Sequence, residues 1–420
     1  MTNSINWTLF AYMAGDGGLS DDGVGDLEEM EITGTVKNTR CLIEFDSSGP
    51  QYDGYEGTIR YLIPEKNNVT NKANRVVLER LKEKDSGDPQ TLTDALKWAT
   101  TEYPSSNYLV TIWNHGSGWR DDRSRLPIST LKRRISGRSK TVFKHETVIE
   151  SSPKMRYIAI DESSGNFLDM LELSYAIKQS GFSEHNKIGI LGFDACLMNM
   201  LEVAYEVKPY TRVIVGSEEL EPTTGWPYAI DLKSLNNSSD NPKDLAKDLV
   251  KNYYDFYNSP PYNTDEYWPI TQSALDMEHI EELASNYDNF ANKLRKLLET
   301  NKDDTVAKLR RIRQNVQVYA PKNDFDDYVD AGHFLLLCKK FLDIDENTTK
   351  MTITSLKRVV ISNVHLGEAV KNSNGITIWF PENTHKYETH LTPYKKLSFT
   401  KKYSEWNKLL KLFYSSERIE

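Results

Sequence analysis

The chain has 420 residues, enough to bury one elaborated α/β domain or two smaller ones. Its formal net charge of -9 argues against a broad nucleic-acid-binding face, and no segment reaches the roughly 18 apolar residues of a membrane span. Three cysteines, Cys41, Cys196 and Cys338, with no CxxC pair and no zinc-finger spacing, argue against a disulfide framework and a structural metal.

The start, MTNSINWTLFAYM, carries neither the basic flank nor the apolar run of a signal peptide, so the expected location is cytoplasmic, or secreted if a leader has been removed. WTLFAYM and then RCLIEFD read as strands. TLTDALKWATTEY follows as an amphipathic helix, with Asp88 as its cap and Pro89 in its first turn. YLVTIW is the next strand. From Trp119 to about Glu150 the pattern breaks down: nine Arg/Lys stand against four Asp/Glu with little apolar periodicity, which is the composition of a solvated loop. NFLDMLELSYAIKQSG reads as a helix ending at glycine, and KIGILGF and RVIVG as two more strands. This alternation predicts a mainly parallel sheet covered by helices on both faces.

Beyond about 240 the periodicity turns helical, in NPKDLAKDLVKNYYDFY, LDMEHIEELASNYDNFANKLRKLLET and DYVDAGHFLLLCKKFL. RVVISNV and GITIWFP then return to strand character before a last amphipathic helix. The expected organisation is a core over 1–240 that contains the basic segment 119–150, a helical subdomain over 241–350, and a stretch 351–420 that rejoins or flanks the sheet.

Two strands end in chemically suggestive sequences. YLVTIWNHGSGW delivers His115 followed by glycine, and KIGILGFDACLMNMLEVAYEV delivers Cys196. In an open parallel sheet, catalytic groups gather at the carboxyl edge of the strands, where loops are free to vary. A thiol at the start of a helix would have its pKa lowered by the helix dipole, and a histidine beside it could serve as base and then acid. Backbone N–H groups of Gly116 and Cys196 could form an oxyanion hole. Singly these signals are ordinary, since a strand-end cysteine is commonly a small buried hydrophobe and a histidine beside glycine commonly a turn residue. Cys41, within a strand, and Cys338, in an apolar helix face, read as core packing. Asp194, two residues before Cys196, would share its face in an extended strand and could bind a basic side chain; a helix cap, a buried hydrogen-bonded carboxylate or an acid paired with His115 are the other readings.

With these residues the sequence resembles the clostripain family of cysteine peptidases, relatives of caspases, gingipains and legumain. The resemblance covers most of the chain. It rests on WTLFAYMAGDGGL, DSGDPQTLTDALKWA, NHGSGW, GFDACLMNMLEVAYEV, GSEELEPTTGWPY, DYVDAGHF and GITIWFP. It implies a caspase-like α/β/α sandwich with a mainly parallel central sheet, His115 and Cys196 as the catalytic dyad, and Asp194 as recognition of Arg or Lys at P1, the residue before the cut. Glu218, Glu219 or Glu221 in GSEELEPTTGW would add negative charge to that pocket. It also implies a single-chain zymogen cut between histidine and cysteine, where the basic segment offers Arg133, Arg134, Arg138 and Lys140, by the chain itself or by an upstream protease. Expected partners are protein or peptide substrates, with no nucleic acid and no membrane. No cofactor is required; calcium is allowed, although DGGLSDDGVGDLEEME lacks the EF-hand spacing. The competing readings are a caspase-like regulated module that needs upstream proteolysis or a partner, and a thiol amidase or transpeptidase.

Overall fold

In the computed structural model, residues 5–48, 57–67, 70–120, 158–263, 269–321 and 325–417 are described. Side-chain alternation along β1 (Trp7–Ala14) divides the interior: Trp7, Leu9, Ala11 and Met13 face one core, Phe10, Tyr12 and Ala14 the other. The remaining strands are β2 (Thr39–Asp46), β3 (Ile59–Ile63), β4 (Val76–Arg80), β5 (Asn107–Trp113), β6 (Ile158–Asp161), β7 (Asn166–Leu168), β8 (Ile188–Asp194), β9 (Thr211–Gly216), β10 (Ile270–Asp276), β11 (Tyr328–Asp330), β12 (Val360–Leu366) and β13 (Thr377–Trp379). Nine of them form one sheet in the order β12-β10-β9-β8-β5-β1-β2-β3-β4. The five middle strands, β9 to β2 in that order, run parallel, and an antiparallel pair extends each side.

The chain leaves β1 for β2 on one side and later returns to place β5 on the other. The strand order therefore reverses between β1 and β5, the place where an open α/β sheet leaves a crevice at its carboxyl edge. On one face of the sheet pack α1 (Ser20–Thr33), and, after α2 (Pro89–Glu102), α3 (Met170–Gln179) and α4 (Leu201–Val207) on the opposite face, α5 (Tyr228–Asn237) and α6 (Pro242–Tyr257) return to the first. The second face also receives α7 (Ile280–Thr300), α8 (Lys302–Asn315), α9 (Ala331–Phe341), α10 (Glu346–Val359), α11 (Thr384–Tyr394), α12 (Ser398–Lys402) and α13 (Glu405–Glu417). The result is the expected α/β/α sandwich.

Local chemistry explains several boundaries. Asp88 accepts a hydrogen bond from Gln90 N with Pro89 in the first turn of α2, and Asp169 and Glu172 make a reciprocal capping box on α3. The stretch 241–350 supplies α6 through α9 and the first turn of α10, and it also gives β10 to the central sheet, so its chain is interleaved with the core rather than set beside it. β12 closes the sheet beyond β10, while β13 pairs with β11 in a separate two-stranded ribbon. Cys41 and Cys338 are fully buried in opposite cores.

Candidate active site

His115 and Cys196 are brought together by strand register. In the parallel pairing of β5 with β8, Trp113 lies opposite Asp194, and Asn114 N donates to Asp194 O at 3.2 Å just past the strand ends. Gly116 then rests on the backbone of the cysteine: a β-carbon there would come within 2.3 Å of Cys196 O and 2.8 Å of Cys196 N. Any side chain at 116 would push the two loops apart. Gly118, with φ +66°, allows a second close approach, against Met200 and the Tyr328 ring, and Tyr328 donates its hydroxyl to Ser117 O at 2.6 Å.

The His115 ring is held from the β1 side. Its Nε2 lies 3.2 Å from Gly17 O, and a carbonyl only accepts, so in the neutral ring the proton sits on Nε2 and Nδ1 is left to receive one. Burial lowers the His115 pKa from its ordinary value, and the Gly17 contact opposes this in part. Asn114 braces the same turn: its Nδ2 donates to Ala14 O at 2.5 Å, and its Oδ1 accepts from Ile160 N at 2.8 Å. Sequence reading passed over Asn114 and Gly17, although both lie within motifs already singled out.

The expected placement of Cys196 at a helix start does not hold. Cys196 sits in a turn, and α4 begins at Leu201. The turn is tied to the segment after β9 instead, through Leu197 N to Glu219 O at 3.2 Å and Asn199 N to Ser217 O at 3.0 Å, with Leu197 at φ +66°. The sulfur is thus not at the N-terminus of α4. Burial pushes the Cys196 thiol up to about 12; the Glu221 N–H, donated to Sγ at 3.2 Å, pulls it down, and the carboxyl groups of Glu221, Glu219 and Asp194 push it further up. The sulfur therefore rests as a thiol, and a base must take its proton as the reaction proceeds.

Asp194 is buried, on the face covered by α1, α5 and α6. Its Oδ2 accepts a long hydrogen bond of 3.4 Å from Trp226 N, and Gly225, at φ +63°, brings its backbone against the carboxylate. Burial pushes Asp194 up to about 6. Of the three glutamates in GSEELE, only Glu221 joins it: burial and the charge of Asp194 hold Glu221 well above the usual carboxylate range. Glu218 turns away to accept from Gly375 N at 3.0 Å beside Asp330, and Glu219 accepts from Ala320 N at 2.9 Å, so both bind the loop to the C-terminal half rather than line a pocket. Residues missed in the sequence complete the surroundings: Asp26 of α1, which accepts from Trp113 Nε1 at 2.6 Å, and Tyr228, Asp231 and Tyr253 of α5 and α6. The acidic run before β2 and the WPY sequence were their only signals. A cluster of carboxyls among aromatic rings, beside a thiol, has the charge to hold a cationic side chain.

Arg133, Arg134, Arg138 and Lys140 lie outside the described residues. Among the described residues, Asp16, Glu83 and Asp161 bring carboxylate oxygens within 4.8 Å of one another; a similar group at Asp276, Glu278 and His279 already has Lys243 against Asp276 and Glu278, at 2.6 and 3.0 Å.

The model of the clostripain family matches residues 11–135 and 143–413. Clostripain of Hathewaya histolytica is 22% identical over 446 residues, spanning 92% of this chain and 77% of its own. Among solved structures, an inactive zymogen protease from Parabacteroides distasonis superposes with a TM-score of 0.67, and iotapain, a secreted cysteine protease from Bacteroides thetaiotaomicron, with 0.66. Each is 18% identical, and each match covers 96% of this chain and 99% of the other. No helix among the described residues is long and apolar enough to cross a membrane, and nothing here supports the expected cytoplasmic location.

Proposed function

This chain belongs to the clostripain family of cysteine proteases, and from that premise we propose that it cleaves peptide bonds after Arg or Lys, with Cys196 as nucleophile and His115 as its proton acceptor and donor. As a member of that family it is a hydrolase acting on peptide bonds. The observation that carries the finer reading is the juxtaposition at the β5 and β8 ends: Gly116 packed on the Cys196 backbone, His115 beside it with Nδ1 free, and the Asp194 and Glu221 carboxyls next to the sulfur.

In the proposed reaction the basic P1 side chain enters the acidic pocket and sets the scissile carbonyl over Cys196. Nδ1 of His115 takes the thiol proton as sulfur attacks the carbonyl carbon, and the N–H groups of Gly116 and Cys196 receive the oxyanion. His115 then gives that proton to the departing amine. Water, deprotonated by His115, cleaves the thioester and restores the thiol. The high thiol pKa fits a sulfur that is deprotonated only once substrate is in place.

The same proposal places zymogen processing in the basic segment, at Arg133, Arg134, Arg138 or Lys140, since a tethered Arg/Lys-rich chain has a high effective concentration near the pocket. Calcium is not required for the chemistry. Were it to bind, Asp16, Glu83 and Asp161 supply the hard oxygen ligands it needs, and it would offset their mutual repulsion next to the Gly17 turn that holds His115.

The test is hydrolysis of fluorogenic peptides ending in Arg, Lys, Asp or Leu by the wild type, Cys196→Ala and His115→Ala, with the intact chain followed on a gel. Cleavage of the Arg and Lys peptides alone, lost in both variants, and self-nicking between 119 and 150 are expected. Wild type that stays uncut and inert until a second protease is added would favour the regulated module, a reading to which the protonated resting thiol also lends itself.

A further inference from the structure

The pocket beside Cys196 has a feature that P1 recognition by itself does not need. Asp194 and Glu221 are neighbouring carboxyls, both Glu221 carboxylate oxygens are buried without a hydrogen-bond partner, and the Tyr253 hydroxyl, buried against them, lacks one as well. The titratable groups facing the pair are acids, phenols or the thiol: Asp26 and Glu29 from α1, Tyr228 and Asp231 from α5, Tyr253 and Tyr257 from α6, and Cys196 from the turn; the neutral donors beside it are the N–H groups of Trp226 and the Ala195 N–H. Two carboxylates this close, with so few donors, cannot both stay ionised in a dry pocket; one keeps a proton, and the pair titrates as a unit.

We propose that Asp194 and Glu221 hold one shared proton while the pocket is empty and release it to solvent when a basic P1 side chain enters, so that Glu221 sets both the preference for cations and the pH at which they bind. The proposal rests on the assignment of this pocket to the P1 residue. The balance is simple: an ammonium or guanidinium brings one positive charge, one proton leaves the pair, and two carboxylates then face the cation. A neutral side chain cannot drive that exchange, and it would leave two unsolvated acids under an apolar group. Glu221 suits the task because its backbone is fixed independently, with its N–H on the Cys196 sulfur at 3.2 Å, while neither of its carboxylate oxygens has a donor in good hydrogen-bond geometry, the Trp226 indole and the Ala195 N–H being the ones beside it. Glu218 and Glu219, whose carboxylates are taken by Gly375 N and Ala320 N, could not act in this way. The raised pKa values of both members agree with the geometry.

The sign follows from linkage. The cation binds the deprotonated pair, so its affinity falls as pH drops through the titration of the pair and is flat above it. The experiment measures kcat and KM for a peptidyl-arginine substrate from pH 5 to 8.5 in wild type and Glu221→Gln, together with calorimetry of benzamidine binding to wild type at pH 7 in phosphate and in Tris. Expected are release of about one proton per benzamidine bound and a wild-type KM that rises up to about tenfold per pH unit on the acid side. In Glu221→Gln the KM rise moves to lower pH and KM at pH 7 increases more than kcat falls. Cleavage after Arg with no proton released, or with a KM flat across the range, overturns the proposal and leaves the P1 assignment standing. Absence of any Arg or Lys preference overturns both. Should Glu221→Gln fail to fold, the two wild-type measurements decide.

Discussion

Asp161, at the end of β6 in the small β6–β7 ribbon, and Asp194, at the end of β8 in the central sheet, are both buried aspartates, and they live in opposite surroundings. Asp161 accepts from Ser86 N at 3.0 Å, Ser163 Oγ at 3.0 Å and Ser164 N at 2.8 Å. Asp194 accepts a long bond from Trp226 N and shares its space with a second carboxyl and aromatic rings. A buried carboxylate saturated by donors of its own chain stabilises the fold and has little left to offer a substrate side chain. One that is short of donors costs the fold something and gains a partner only from outside. On this comparison the β6 acid is a brace for the loops 86–88 and 161–164, and the β8 acid is the binding group.

The strongest way to break the comparison is to remove each acid in turn. Asp194→Ala is expected to lower kcat/KM for an Arg peptide by about 10²- to 10³-fold, the scale for truncating one partner of a buried charge pair, with little change in Tm. Asp161→Ala should do the reverse: it strands the buried N–H of Ser86 and removes the acceptor of Ser164 N, costs about 2 kcal/mol of stability and lowers Tm by about 4 °C, while the preference for Arg over Leu in the folded enzyme is retained. Thermal melts and peptide hydrolysis on the same two preparations check both. If Asp161→Ala lost the Arg preference and Asp194→Ala only stability, the roles would have to be exchanged.

The same contrast marks how far the sequence was legible. β1, β2, β5, β8 and β9 were plain because strands buried on both faces are continuous apolar runs, and the two catalytic candidates lay where those runs stop. β3 and β4 were not, since IRYLI and VVLER carry charge on an outer hairpin where Arg60 pairs with Glu44 and Glu79. β10 was hidden for another reason: ITQSALD buries Thr271, Gln272 and Ser273, polar residues whose partners, such as Ser217 and Asn199, are distant in sequence. In the site, Asp194 was legible and Glu221 was one of three equivalent glutamates, because spacing along GSEELE says nothing about which carboxyl meets Gly375, Ala320 or Asp194. The dipole argument for Cys196 failed because hydrogen bonds to the segment after β9 hold 196–200 out of helical conformation. Asp26 and Tyr228 reach Asp194 from helices whose approach only the folded sheet determines.

A finer separation of the two groups comes from pH. Asp46, at the end of β2 and within the field of Asp161, accepts from Thr58 Oγ1 at 3.0 Å and lies 2.6 Å from Ser86 Oγ; burial still pushes it up to about 8. Its folded pKa thus stands above an unfolded value of about 4. Such a group contributes stability that is complete below the unfolded pKa and is lost as pH rises through the folded one, so the window here runs from about pH 5 to 8.5. Tm of the wild type is expected to decline across that window. In Asp46→Asn, which keeps an acceptor for Thr58 and cannot ionise, the decline should be shallower, with Tm about 3 °C above wild type at pH 8.5 and equal to it near pH 5. The Arg preference should be the same in both proteins at either pH, because the braced group never meets the substrate; a change of preference in Asp46→Asn would show that the two acid groups are coupled through the Gly17 turn and His115.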